Sequence, residues 1–183
     1  MRKFCISFLL IAIIILSGIG LILAKEQPRT EYLRIHIRAN SNSETEQAVK
    51  YLVKEAVVNY LTPFISECDT KIKAENMLKD NLSNIERVSD AVLKSNGFDY
   101  KSTADVREEK FPTRTYGEFT LNAGFYDALI IELGSGEGDN WWCVVYPPLC
   151  FTGEGTSYRY KSKIKEIIDD FIKKEKLDNE KDC

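Results

Sequence analysis

Histidine is nearly absent from this chain, with His36 the only one among 183 residues. That scarcity removes most imidazole chemistry, since a general base working near neutral pH is most often a histidine. The five cysteines, Cys5, Cys68, Cys143, Cys150 and Cys183, include no C-x-x-C pair. A structural zinc site therefore lacks its usual ligand spacing. A basic stripe is missing too. With Arg2 and Lys3 set aside as part of the N-terminal segment, 23 basic side chains remain against 28 acidic ones. Phosphate backbones are poor partners for such a balance, which excludes nucleic acid. No internal repeat is present, and nothing implies a cofactor.

Two catalytic motifs fail on inspection. Gly134-Ser135-Gly136-Glu137-Gly138 looks like a phosphate loop, but Asp139-Asn140-Trp141-Trp142 follows it and reads as a strand. A phosphate cradle needs a helix N-terminus behind the glycines, so the segment reads as a flexible hairpin loop. The nucleophile elbow G-x-S-x-G fails as well, because Leu133 stands two positions before Ser135.

What is present is an ordinary globular composition, 44% hydrophobic and 29% charged, in a length that suits one core. Residues 1–24 stand apart. From Phe4 to Ala24 there is no charged side chain, and Arg2 and Lys3 precede the run. At roughly 1.5 Å per residue the run reaches about 30 Å, enough to cross a bilayer. Its length favours an anchor over a cleaved signal peptide, although Gly18 and Gly20 keep cleavage open. The positive-inside tendency sends Lys25 and everything after it across the membrane. Residues 25–31 (KEQPRTE) suit a linker.

The exported part opens on a strand. Leu33, Ile35 and Ile37 alternate with Arg34, His36 and Arg38, which predicts an apolar face and a solvated face carrying His36. Ser43 with Glu46 forms a capping-box signature. The helix behind it is expected to bury Ala48, Val49, Leu52, Val53, Ala56, Val57 and Tyr60, and to stop near Leu61 ahead of Pro63. Asp69 can cap a second, longer helix with Ile72, Leu78, Leu82, Ile85, Val88 and Val92 inward, ending at Asn96-Gly97. Beyond it the pattern is strand-rich, through Tyr100 to Val106, Phe119 to Leu121, Tyr126 to Leu133 and Trp141 to Tyr146. Tyr158 to Lys176 returns to a helix, amphipathic through Ile164, Ile167, Ile168, Phe171 and Ile172. It is read as capping the domain, docking on a partner protein or lying against lipid. The expected fold is α+β: an N-terminal membrane helix, two packed helices against a mainly antiparallel sheet, and the C-terminal amphipathic helix.

Cys143 and Cys150 lie seven positions apart around Pro147 and Pro148, close enough to bridge in an oxidising compartment. Two reduced, buried thiols fit equally well.

Three stretches carry a family resemblance: Leu33 to Ser43 (LRIHIRANSNS), Phe111 to Gly117 (FPTRTYG) and Leu121 to Phe151 (LNAGFYDALIIELGSGEGDNWWCVVYPPLCF). Over residues 32–151 the chain resembles the stage II sporulation protein R family. Asn122 departs from the proline expected in an L-P-A-G form of the motif, and residues 152–183 lie outside the match. The resemblance implies a messenger exported from the forespore into the space facing the mother cell. There it would activate the membrane-embedded aspartic peptidase that removes the pro-sequence of sigma-E. No catalysis, cofactor or small-molecule substrate is implied. The peptidase-binding candidates are aromatic and arginine anchors: Arg114, Tyr116, Trp141 and Trp142, with Arg34, His36 and Arg38 next. The competing class is a secreted cell-envelope hydrolase using Cys143 or Cys150 with His36. The adjacent acids Glu108 and Glu109 point to opposite faces of a strand and read as a solvated edge.

Overall fold

Alternation in the first apolar stretch is realised as strand β1 (Leu33–Arg38), whose Leu33, Ile35 and Ile37 are at most 1% exposed. The computed structural model describes residues 30–117, 119–151 and 158–181. After β1 come helices α1 (Glu44–Ile65), α2 (Lys71–Asp80) and α3 (Leu82–Ser95). Strands β2 (Ser102–Phe111), β3 (Arg114–Tyr116), β4 (Phe119–Leu121), β5 (Gly124–Leu133) and β6 (Asn140–Tyr146) follow. A 3-10 turn at Leu149–Phe151 and helix α4 (Tyr158–Lys181) complete the α+β order. The run from Phe4 to Ala24, Cys5 and Cys183 lie outside the described residues. Among the described residues no helix is long and apolar enough to cross a membrane.

The sheet order is β2-β5-β1-β6, with β3 and β4 forming a separate two-stranded hairpin. Most pairs are antiparallel, as expected, but β1 runs parallel to β5. Three helices and strands β2 to β4 separate those two strands in sequence, and that is ample for the crossover a parallel pair requires. One face of the sheet meets the helices. Leu33, Ile35, Ile37, Leu129, Ile131, Leu133 and Val145 join Val49, Val53, Val57, Leu61, Leu78, Ile85 and Leu93 in a single core.

The helices differ from expectation in four respects. Helix α1 does not stop before Pro63 but carries it in its last turn and reaches Ile65. The proline forfeits a backbone donor near the helix end, while Leu61 and Ile65, at 0% and 1% exposure, gain full burial. The buried stripe of α1 is Val49, Val53, Val57 and Leu61, leaving Leu52 45% exposed.

The single long helix expected after Asp69 is two helices. They break at Asn81, whose amide donates to the Met77 carbonyl and accepts from the Tyr60 hydroxyl, both at 2.8 Å. An asparagine side chain that competes for helical carbonyls is a natural breakpoint. The buried face of α2 is Lys71, Ala74 and Leu78, which leaves Ile72 70% exposed, and that of α3 is Ile85, Ser89 and Leu93. Thr70, not Asp69, caps α2 by accepting from the Lys73 amide. The stop at Asn96-Gly97 is as expected. Gly97 has φ 83°, and the Phe98 amide donates back to the Leu93 carbonyl at 3.0 Å.

Ser43 caps α1 by accepting from the Glu46 amide at 3.3 Å, but the reciprocal half of the capping box is diverted. The Glu46 carboxylate accepts instead from the Asn40 amide and the Tyr100 hydroxyl. Helix α4 seats its apolar stripe on the domain, with Ile164 and Phe171 buried and the Phe171 ring 5.2 Å from Tyr32.

The glycine segment 134–138 is not a hairpin loop, because β5 and β6 flank β1 and never pair. It crosses the end of β1 and is tied there. Ser135 donates from its amide and hydroxyl to the Asn40 side-chain and backbone oxygens, and Gly138 N–H donates to the Ala39 carbonyl at 2.8 Å. A Cβ on Gly138 would lie 2.4 Å from the Ser41 carbonyl oxygen. Gly138→Ala is therefore expected to destabilise the protein by about 2 kcal/mol, an overpacking cost against unyielding backbone, read as a lower urea midpoint with unchanged slope. An unchanged midpoint would mean that the crossing loop is free to move.

Candidate functional site

Strand residues alternate in direction, so β1 sends Arg34, His36 and Arg38 to the face away from the helices. The register sets Arg34 beside Ala128 and Val144, His36 beside Ile130 and Trp142, and Arg38 beside Glu132 and Asn140. This face is not solvated as the alternation suggested, because Arg34 and His36 are both 0% exposed. β1 is an inner strand, and an aromatic layer covers its second face as well. Phe111 from the end of β2, Tyr126 from β5, Trp142 from β6 and Tyr116 from the β3–β4 hairpin form that layer.

The geometry is an arginine held among rings. The Arg34 guanidinium carbon lies 4.2 Å from the Phe111 ring centre, 4.8 Å from that of Tyr126 and 5.8 Å from that of Tyr116. Its Nη2 donates to the Tyr116 hydroxyl at 2.8 Å, whereas Nε and Nη1 have no hydrogen-bond partner. Cation–π attraction is strongest when water is excluded, as here. His36 stacks on Trp142 at 4.7 Å and lies 5.3 Å from Phe111, which meets Trp142 edge-on at 4.8 Å.

Charge grades along the strand. Arg38 donates from Nη1 to Glu132 at 2.7 Å and also pairs with Glu109, and Arg107 reaches Glu132 at 3.2 Å and Glu109 at 3.3 Å. Glu109 is thus a shared acceptor and not a freely solvated edge acid, while Glu108 is exposed as expected. Burial lowers the His36 pKa to about 3, with Arg38, Arg107 and Arg34 adding to the shift. The imidazole is therefore neutral, and its 3.5 Å approach to Glu109 is not an ion pair. The Tyr116 phenol is pushed up by burial, against the opposing pull of Arg34.

Of the seven proposed contact residues, the fold gathers Arg34, His36, Arg38, Tyr116 and Trp142 on one face. Arg114 sits exposed on the same hairpin as Tyr116. Trp141 does not join them. It pairs with Ile37, packs against the helix-side core and has the Lys54 ammonium 5.9 Å from its ring centre. Phe111, Tyr126, Glu109 and Glu132 belong to the face and were missed as site residues. Phe111 stood inside a stretch that carried the resemblance, as did Tyr126 and Glu132, six positions apart on one strand, but only the pairing of β5 with both β2 and β1 brings them together.

Cys143 and Cys150 are joined by a disulfide, with Cα atoms 6.2 Å apart. Cys143 lies opposite Ile35 on the helix side, so no thiol faces His36. Among the described residues, no group of three His, Cys, Asp or Glu side chains is placed to hold a metal ion. The face presents arginine and aromatic side chains, and among its described residues no nucleophile is paired with a base.

A family model described as Stage II sporulation protein R matches residues 29–156. The chain is similar to Stage II sporulation protein R of Bacillus subtilis (strain 168), 32% identical over 149 residues. That match covers 75% of this chain and 66% of the relative, so the chain spans slightly less than two thirds of the relative's length. No solved structure matches.

Two measurements test the electrostatics of this face. The His36 pKa is lower in the folded chain than its ordinary value of 6.5. The unfolded chain therefore binds the extra proton first, and stability is full above that value and falls as pH drops towards about 3. Between pH 7 and pH 5 the loss from this group is about 2 kcal/mol. His36→Phe is expected to flatten that part of a urea-stability profile, and an unchanged slope would show that His36 is hydrated. Tyr116→Phe removes the hydroxyl that accepts from Arg34 and is expected to cost about 2 kcal/mol. A cost near zero in chemical denaturation would mean that Arg34 finds another acceptor.

Proposed function

Because the chain belongs to the stage II sporulation protein R family, we propose that it is an exported sporulation signal. It activates the membrane-embedded sigma-E factor-processing aspartic peptidase of the mother cell and so triggers pro-sigma-E cleavage. The match over residues 29–156 carries the reading. The chain acts as a ligand and not as an enzyme, and its face offers aromatic and arginine anchors of the kind that interfaces use. The thiol hydrolase reading has nothing to stand on, since both candidate sulfurs are bonded to each other.

Location follows from chemistry of the same kind. The uncharged run from Phe4 to Ala24 behind Arg2 and Lys3 delivers the domain to the space between forespore and mother cell. The Cys143–Cys150 disulfide suits that side of the membrane. A ligand shifts an equilibrium only through its differential affinity for the two states. The peptidase-contacting surface is therefore one that prefers the competent peptidase. Arg114 is the exposed member of the candidate set, carried by a hairpin whose inner side rests on Arg34 through Tyr116.

The test is co-expression of the full-length chain with the peptidase and pro-sigma-E in a non-sporulating host, following pro-sequence removal by immunoblot. Processing is expected only when the chain is present. Arg114→Glu is expected to reduce it about tenfold or more at normal accumulation, the size of effect an interface anchor has. Processing that ignores the chain would remove the activation reading. Processing that needs the chain but tolerates both Arg114→Glu and Trp142→Ala would move the contact surface elsewhere.

A further inference from the structure

The two edges of the sheet are finished differently. On β6 the outward N–H of Val144 donates to the Cys150 sulfur at 3.1 Å, so the disulfide-bonded turn covers that edge. On β2 the outward N–H of Ser102 donates to Asp90 at 2.7 Å and that of Ala104 to Glu86 at 2.9 Å, both carboxylates from α3. The β2–β5 register runs unbroken from Ser102 to Phe111. Alternation therefore turns the N–H and C=O of Val106, Glu108 and Lys110 outward as well. No α3 carboxylate reaches these three, and Glu108 and Lys110 are exposed. Of the five outward positions two are capped, and among the described residues the other three are left open, with Glu108 at their centre.

We propose that this open edge is a self-association site, on which β2 of a second copy of the chain pairs antiparallel about a two-fold axis at Glu108. The reason for a second copy, and not an arbitrary strand, is charge. With Glu108 opposite its own copy, Val106 faces the copy's Lys110 and Arg107 faces the copy's Glu109, and each pairing occurs twice by symmetry. Each Glu108 also has the copy's Lys110 diagonally across, which offsets the contact between the two Glu108 side chains. The three outward residues of each chain then exchange about six backbone hydrogen bonds, using the groups left open and none of those already capped. Arg107 is 42% exposed on its side chain and already pairs with Asp105, Glu109 and Glu132 at 3.2–3.3 Å, so reaching the copy's Glu109 means sharing these acceptors across the axis. The charges that deter unrelated strands from an exposed edge are arranged here to accept their own copy. The inference stands independently of the peptidase reading.

Cysteine cross-linking of the full-length exported chain tests it, with the wild-type chain as the baseline for its native cysteines. Glu108→Cys places two sulfurs across the axis, where hydrogen-bonded partners lie about 5.5 Å apart at Cα, within disulfide reach. Asp105→Cys places them about 20 Å apart on the same strand. After oxidation, Glu108→Cys is expected to give a band at twice the chain mass, at least about fivefold above both wild type and Asp105→Cys. Arg107→Glu or Lys110→Pro added to Glu108→Cys is expected to reduce that band several-fold. Lys110 has its N–H outward, so proline there removes no bond to β5. Equal cross-linking at positions 108 and 105, no cross-linking at 108, or a 108-dependent band at any mass other than twice the chain's would overturn the proposal.

Discussion

Everything in this fold depends on β1 being buried on both faces. A strand of six residues that presents isoleucine and leucine to one side and arginine and histidine to the other would ordinarily sit with one side wet. Here β5 and β6 flank it, the helices cover its apolar side, and rings from four strands cover its basic side. Apolar burial drives the first contact in the usual way, at about 25 cal/mol per Å². The second face needs a different account, because the group at its centre is a guanidinium.

Taking a cation out of water costs several kcal/mol even after relaxation. Arg34 has one hydrogen-bond acceptor, the Tyr116 hydroxyl, and three ring faces within 6 Å. Desolvated cation–π contacts contribute about 2 kcal/mol, so the rings and the hydroxyl together offset a cost that neither would offset alone. This makes the small β3–β4 hairpin more than a surface ornament. Its Tyr116 closes the box over Arg34, and the exposed Arg114 lies two residues before it on the same strand. The pair of Arg34 and half-buried Tyr116 thereby fixes where the hairpin and its exposed Arg114 sit on the surface.

The loop chemistry at the other end of β1 does similar work. Asn40 and Asn42 use their side-chain oxygens to hold Ser135 and Asp139, and the Lys50 ammonium, buried in α1, donates to the Asp139 carbonyl at 2.9 Å. Burial also lowers the Lys50 pKa. These contacts carry the chain from β5 past β1 to β6, which is what places Trp142 over His36. The disulfide then anchors the turn after β6 against the strand it has just left.

Much of this could be read in advance from local patterns. The apolar alternation of β1, the cap at Ser43, the stop at Asn96-Gly97, the extended second half and the apolar stripe of α4 all express short-range rules of sterics and periodicity. So does the recognition of the family, which rests on contiguous stretches. Three things lay beyond local reach. Periodicity distinguishes two faces of a strand but not which face is wet, since that depends on neighbours distant in sequence, and so Arg34 and His36 were expected in solvent and are buried. Proline and aspartate signals set helix ends only until tertiary burial outbids them, as at Pro63, or a side-chain hydrogen bond intervenes, as at Asn81. The separation of Trp141 from Trp142 was legible as alternation, but which of the two joins the arginine was decided by the register of β6 on β1.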